Sequence, residues 1–153
     1  MRKFAIILLC VLAISLAFES CGRYENGPAF SLRSAKARVV GEWVLTDLLV
    51  NDKQEQTLFE KESSSVLELN DDGTYSYDMM LDAKSPNEMH GQWLFGEDKT
   101  ELVLNQFDTI NGNSEHSYKI IRLTKAEMWL VNGGEEYAGI DDLIERHFEK
   151  KED

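Results

Sequence analysis

The chain has 153 residues, 42% of them hydrophobic, with a formal net charge of −12 at pH 7, which leaves room for one domain around one core and not for two. With 28 acidic against 16 basic residues, the balance argues against nucleic acid and against electrostatic binding to anionic lipid, both of which need a basic surface.

In chain order, Arg2 and Lys3 precede an apolar run from Phe4 to Phe18 that only Ser15 interrupts. Cations followed by a run of that length form the n- and h-regions of a signal peptide. The run is shorter than the roughly 20 apolar residues of a membrane span. No other stretch approaches it, so no transmembrane helix is expected in the mature chain. The segment Leu16-Ala17-Phe18-Glu19-Ser20-Cys21-Gly22 resembles a bacterial lipobox, in which a small residue precedes a cysteine that is lipidated and becomes the first residue. Ser20 and Gly22 fit it, while Phe18 and Glu19 depart from it. Ordinary cleavage after Ser15-Leu16-Ala17, followed by secretion, is the alternative. Cysteine arithmetic favours lipidation. Cys10 leaves with the signal, so Cys21 would otherwise be a lone thiol in an oxidising compartment. Residues 1–20 are thus read as a signal peptide and 21–38 as lipidated cysteine and tether, with a short helical turn around Ser31–Ala37. Each buried methylene of an acyl chain contributes about 0.8 kcal/mol, and two or more chains anchor a protein stably. The expected location is the cell envelope, anchored to the outer membrane on its periplasmic or its outer side.

From residue 39 to 153 the pattern is β. Alternation, β-branched or aromatic content and terminal turn residues mark eight segments: Val40–Val50, Ser65–Asn70, Thr74–Met80, His90–Gly96, Glu101–Phe107, His116–Leu123, Glu127–Asn132 and Leu143–Glu149. Asp71-Asp72-Gly73 joins the second and third as a hairpin turn, since glycine adopts the positive φ such turns demand. Short connections also follow the fourth and sixth segments, which makes sequential strands antiparallel neighbours. No helical pattern of 10–15 residues separates these pairs, so parallel βαβ units are excluded. The fold class expected is all-β, an antiparallel up-and-down barrel of about eight strands that closes and so removes its edges.

Gly41-Glu42-Trp43 opens the first strand and Arg146 lies in the last, an arrangement that resembles the lipocalins. There, a Gly-x-Trp tryptophan at the closed end packs under an arginine from the final strand. Asn70-Asp71-Asp72-Gly73-Thr74-Tyr75, a second Gly-x-Trp at Gly91-Gln92-Trp93, and Leu102-Val103-Leu104 resemble the lipocalin-like domains of bacterial lipoproteins, particularly those of Bacteroidetes. The resemblance covers about residues 39–150 and implies that Gly41, Trp43 and Arg146 close the barrel. The Thr-Asp-Tyr signature and the C-terminal helix of the main lipocalin families have no counterpart. Tyr75, Tyr77, Met79, Trp93, Tyr118 and Met128 are the large side chains expected inside. An eight-stranded barrel either fills with such residues or holds one small ligand, and both readings stand.

Candidates for chemistry are few. His90, His116 and His147 are scattered, whereas zinc needs three or four converging ligands. Asn70-Asp71-Asp72-Gly73 lacks the ligand spacing of a calcium loop. Neither a Gly-x-Ser-x-Gly elbow nor a phosphate loop is present. No cofactor, no metal and no catalysis are expected, and the chain is expected to be a monomer. The long Asn51–Ser64 connection, carrying Leu58 and Phe59, is either a cover for the mouth or a flexible linker. Asp108-Thr109-Ile110 resembles the O-glycosylation acceptor of Bacteroidetes. The preferred function is capture of a small apolar or amphipathic ligand. The rivals are a filled barrel that docks an envelope protein or a protease, and a metal-assisted hydrolase that would need the three histidines together.

Overall fold

The protein was described as a computed structural model, in which residues 24–27, 31–63, 65–79, 87–107, 112–133 and 142–152 are placed. The signal peptide, Cys21, Asp108-Thr109-Ile110, residues 134–141 and the side chain of Met79 lie outside the described residues. Two short helices occur among the described residues, α1 (Ala35–Val39) and α2 (Gln56–Glu62). The strands are β1 (Gly41–Val50), β2 (Lys53–Gln54), β3 (Val66–Leu69), β4 (Thr74–Met79), β5 (Asn87–Phe95), β6 (Glu101–Gln106), β7 (Ser114–Leu123), β8 (Glu127–Gly133) and β9 (Leu143–Lys150).

Every neighbouring pair is antiparallel, and β9 returns to β1 with Trp43 opposite Lys150 and Val50 opposite Ile144. The sheet is therefore a closed barrel of eight strands, as the alternation implied. Its register at the seam shifts between Leu45 and Asp47. The small β2 is an addition, folded back on the end of β1 through Asn51 and Asp52, both at positive φ, the geometry of a tight I′ hairpin. The turns β3–β4, β5–β6 and β7–β8 are short and share one end of the barrel with α1. The longer connections, α2 among them, share the other. These ends are called floor and mouth below.

Alternation sets the interior. Leu67 and Leu69, Tyr75 and Tyr77, Leu102 and Leu104, Met128 and Leu130, and Ile144 and Phe148 are buried in one core cluster. Met128 and Tyr118 point in, whereas Trp129 and Lys119 sit on the outer wall. Gly91 permits a close strand approach: a Cβ there would stand 1.9 Å from the Asn105 carbonyl oxygen. Gly73 at φ +89° makes the β3–β4 turn, where Asp72 Oδ1 accepts from the Thr74 hydroxyl (2.6 Å) and amide (2.9 Å). Those bonds hold the Asp72 carboxyl below its ordinary pKa.

The stretch expected to be a tether packs on the barrel. Tyr24 is buried, its hydroxyl donates to the Lys99 carbonyl (3.1 Å), and the Asn26 amide donates to the Ile121 carbonyl (2.8 Å). The helical turn starts four residues later than expected and runs over Ala35–Val39, where the Ser34 hydroxyl caps it by accepting from the Ala37 amide. Among the described residues no helix is long and apolar enough to cross a membrane.

Candidate functional site

The floor is built by two tryptophans. Trp43 is fully buried and its indole Nε1 donates to the Val39 carbonyl at the end of α1 (2.7 Å). Trp93, from the second Gly-x-Trp, donates through Nε1 to the Asn70 carbonyl (2.9 Å) and meets Phe95 edge to face. Arg38 of α1 reaches the Leu123 carbonyl (2.6 Å) and lies over the Tyr24 ring.

The expected stacking of Arg146 on Trp43 is corrected by the structure. The cation over the Trp43 ring is Lys150, 4.9 Å from its centroid, and it also donates to the carbonyls of Arg38 and Val40. Burial, with Arg33 and Lys125 nearby, pushes the Lys150 pKa down. Trp43 lies opposite Lys150 in the seam, whereas Arg146 lies opposite Leu48. Four residues of strand, about 13 Å at the usual rise, separate the two β9 cations. Gly41 and Trp43 thus close the floor with Lys150, and Arg146 belongs to the other half of the interior.

There Arg146 meets a carboxylate from α2. Its Nε donates to Glu62 Oε2 (3.0 Å), its Nη2 to Glu62 Oε1 (3.4 Å) and its Nη1 to Asn132 Oδ1 (2.9 Å). The Arg146 and Glu62 side chains are only 5% and 1% exposed. Burial alone would push the guanidinium down, but the Glu62 carboxylate, then Tyr77 and Tyr118, outweigh it and hold the pKa above its ordinary range. Leu58 and Phe59 of the same helix are partly buried against the core. Within the Asn51–Ser64 connection, α2 is therefore docked on the barrel, while residues 51–54 are exposed.

Of the expected lining residues, Tyr75, Tyr77, Trp93, Tyr118 and Met128 are all buried in the interior. The Tyr75 hydroxyl is buried without a hydrogen-bond partner among the described residues, and burial pushes its pKa up to about 12. Glu62, Asn132 and Lys150 were not singled out from the sequence. The available signal for Glu62 was its spacing, four residues after Leu58 and three after Phe59, which puts all three on one face of a helix.

On the outer wall, Trp129 stacks on His147 (centroids 4.1 Å apart) with Arg122 over the indole. His147 also contacts Glu145 (2.6 Å), and His116 contacts Ser114 (3.2 Å). Among the described residues no three His, Cys, Asp or Glu side chains converge on a possible metal position. A cleft of about 660 Å³ lies beneath the floor beside Gly41, Asn70 and Lys150.

Comparison with known proteins gives the same architecture. A family model described as a lipocalin-like domain matches residues 39–130. The fold is similar to that of a lipocalin-like protein from Bacteroides uniformis ATCC 8492, at 17% identity and a TM-score of 0.51, covering 74% of this chain and 99% of that one. An uncharacterized protein from Bacteroides eggerthii DSM 20697 aligns at 18% identity with a TM-score of 0.49, covering 73% and 98%. At such identities the likeness is one of fold. No curated protein matches the chain.

Proposed function

The chain belongs to the family of lipocalin-like domains, and from that premise we propose that it is a lipid-anchored envelope protein whose barrel captures a small amphipathic molecule without chemistry. The anchoring half of this reading rests on the sequence of residues 1–22, with Cys21 as the acylated residue. The capture half rests on one observation above all: a guanidinium, an amide and a carboxylate meet inside the barrel, while the Tyr75 hydroxyl elsewhere in the same interior has no hydrogen-bond partner among the described residues. Buried polar groups without partners are costly, at about 1–3 kcal/mol each. A site of mostly apolar lining with a few convergent polar groups is how small-molecule pockets are built. Affinity would come from apolar area removed from water, about 25 cal/mol per Å², and orientation from the polar groups.

A second reading, a filled barrel that docks a protein partner, is favoured by the docked α2 and by the outer Trp129–His147–Arg122 stack. Native mass spectrometry of the protein purified gently from its own host separates the two. A reproducible extra mass that disappears on denaturation makes it a carrier and reveals the cargo class. An unloaded mass, together with no binding of added amphiphiles, leaves the docking module.

A further inference from the structure

We propose that the ligand carries a carboxylate that takes the place of Glu62 on Arg146, so that α2 occupies the ligand's own position when the barrel is empty. This deepens the carrier reading above and rests on it. The helix presents one carboxylate and two apolar side chains, Glu62 with Leu58 and Phe59, to the same interior. That is the chemistry of a fatty or other amphipathic acid, with Glu62 as head and Leu58 and Phe59 as tail.

The head-group geometry is selective. Glu62 offers its two oxygens to Nε and Nη2 of Arg146 side by side, at 3.0 and 3.4 Å. A planar two-point fork of this kind fits a carboxylate and gives an alcohol or an amine nothing equivalent. Asn132 holds the third guanidinium nitrogen at 2.9 Å and so fixes the fork while its partner changes. A neutral amphiphile that displaced α2 would break two charge-assisted bonds to the buried guanidinium and replace neither in kind. An acid exchanges one partner for another and leaves the charge balanced.

The occupant is also exchangeable. α2 has seven residues, its N-cap Glu55 makes no side-chain capping bond, and its first turn contains no acidic residue. An isolated helix of that length is marginal in water, so docking is what keeps it formed. Its loss costs the barrel no strand, because β1 and β3 pair directly from Gly41 opposite Leu69 to Val44 opposite Val66.

The test uses the full chain at one fixed non-ionic detergent concentration, titrated with dodecanoate and with dodecan-1-ol; comparing variants cancels partitioning into micelles. Glu62→Gln removes the internal competitor and is expected to bind dodecanoate at least about tenfold more tightly than the unaltered chain, with dodecan-1-ol changed much less. In case that variant folds poorly, Glu62→Leu combined with Arg146→Met removes both charges and is expected to lose about tenfold in dodecanoate affinity while keeping dodecan-1-ol. If dodecanoate gains nothing in Glu62→Gln, gains no more than the alcohol, or binds the double variant as well as the unaltered chain, the head-group assignment is wrong and the carrier reading survives. If neither compound binds any of the three proteins, the carrier reading falls and takes this inference with it.

Discussion

The Arg146–Glu62 pair makes a quantitative prediction about stability that is independent of any ligand. Both groups are almost completely shielded from water, at 5% and 1% exposure. Removing one charge of such a pair leaves the other buried and uncompensated, at a cost of about 3–5 kcal/mol. A domain of this size loses roughly 3–5 °C in Tm per kcal/mol, so Glu62→Gln should lower Tm by on the order of 10–20 °C. The internal control is Glu42→Gln at the exposed Lys151–Glu42 pair, 2.6 Å apart with side chains 60% and 45% exposed. Exposed pairs contribute about 0–1 kcal/mol, so that variant should melt close to the parent. Replacing both partners with apolar residues, Glu62→Leu with Arg146→Met, should recover most of the loss, because no charge is left buried. Urea titration followed by tryptophan emission reads all four proteins. If Glu62→Gln and Glu42→Gln unfold at the same urea concentration, Arg146 has access to water and α2 is not docked as described.

Three further outcomes follow from the interior. Trp43→Ala should cost about 3–5 kcal/mol in chemical denaturation, and Trp43→Phe about 1–3 kcal/mol, since the latter mainly leaves the Val39 carbonyl without its indole donor. Gly91→Ala drives a Cβ to within 1.9 Å of the Asn105 backbone oxygen and should cost about 3 kcal/mol or more, seen as a collapse of Tm. Gly96→Ala, which meets only the Glu101 side chain at 3.0–3.1 Å, should be much milder. Tyr75→Phe should stabilise the fold by about 1 kcal/mol at neutral pH by removing the partnerless hydroxyl. Its pH signature has a fixed sign. The Tyr75 phenol ionises near 10 when unfolded and at about 12 when folded, so its contribution is intact below pH 10 and is lost as pH rises to 12. The parent should therefore lose more stability than Tyr75→Phe between pH 9 and 12.

The strands were legible because each carries its signal locally. Alternation along Thr74–Met79 and Leu143–Lys150, and the turn Asp71-Asp72-Gly73, fix faces and register without knowledge of distant residues. β5 extends from His90 back to Asn87, where polar Asn87 and Glu88 lack an alternation signal. α2 was not legible for a different reason. Its seven residues carry only Leu58 and Phe59 as apolar markers, and Glu62 becomes an interior group only because Arg146, 84 residues away, is opposite it. Hydropathy assigns a glutamate and a lysine to water by default, so Glu62 and Lys150 were both passed over. The error over Arg146 has the same root: the resemblance supplied an arginine for Trp43, whereas the seam register places Lys150 there.

The seam between β1 and β9 ties the start of the barrel to its end, with Val44 beside Glu149. Pairings so distant in sequence are formed against a large loop-closure entropy, and folds dominated by them reach the native state in milliseconds to seconds rather than microseconds. Synthesis from the N-terminus delivers β9 last of the described strands. Until it arrives, one flank of β1 and one flank of β8 present unpaired amides and carbonyls, an open template for other chains. A chain cut before β9 is therefore expected to aggregate through those open flanks rather than to form a weakened barrel.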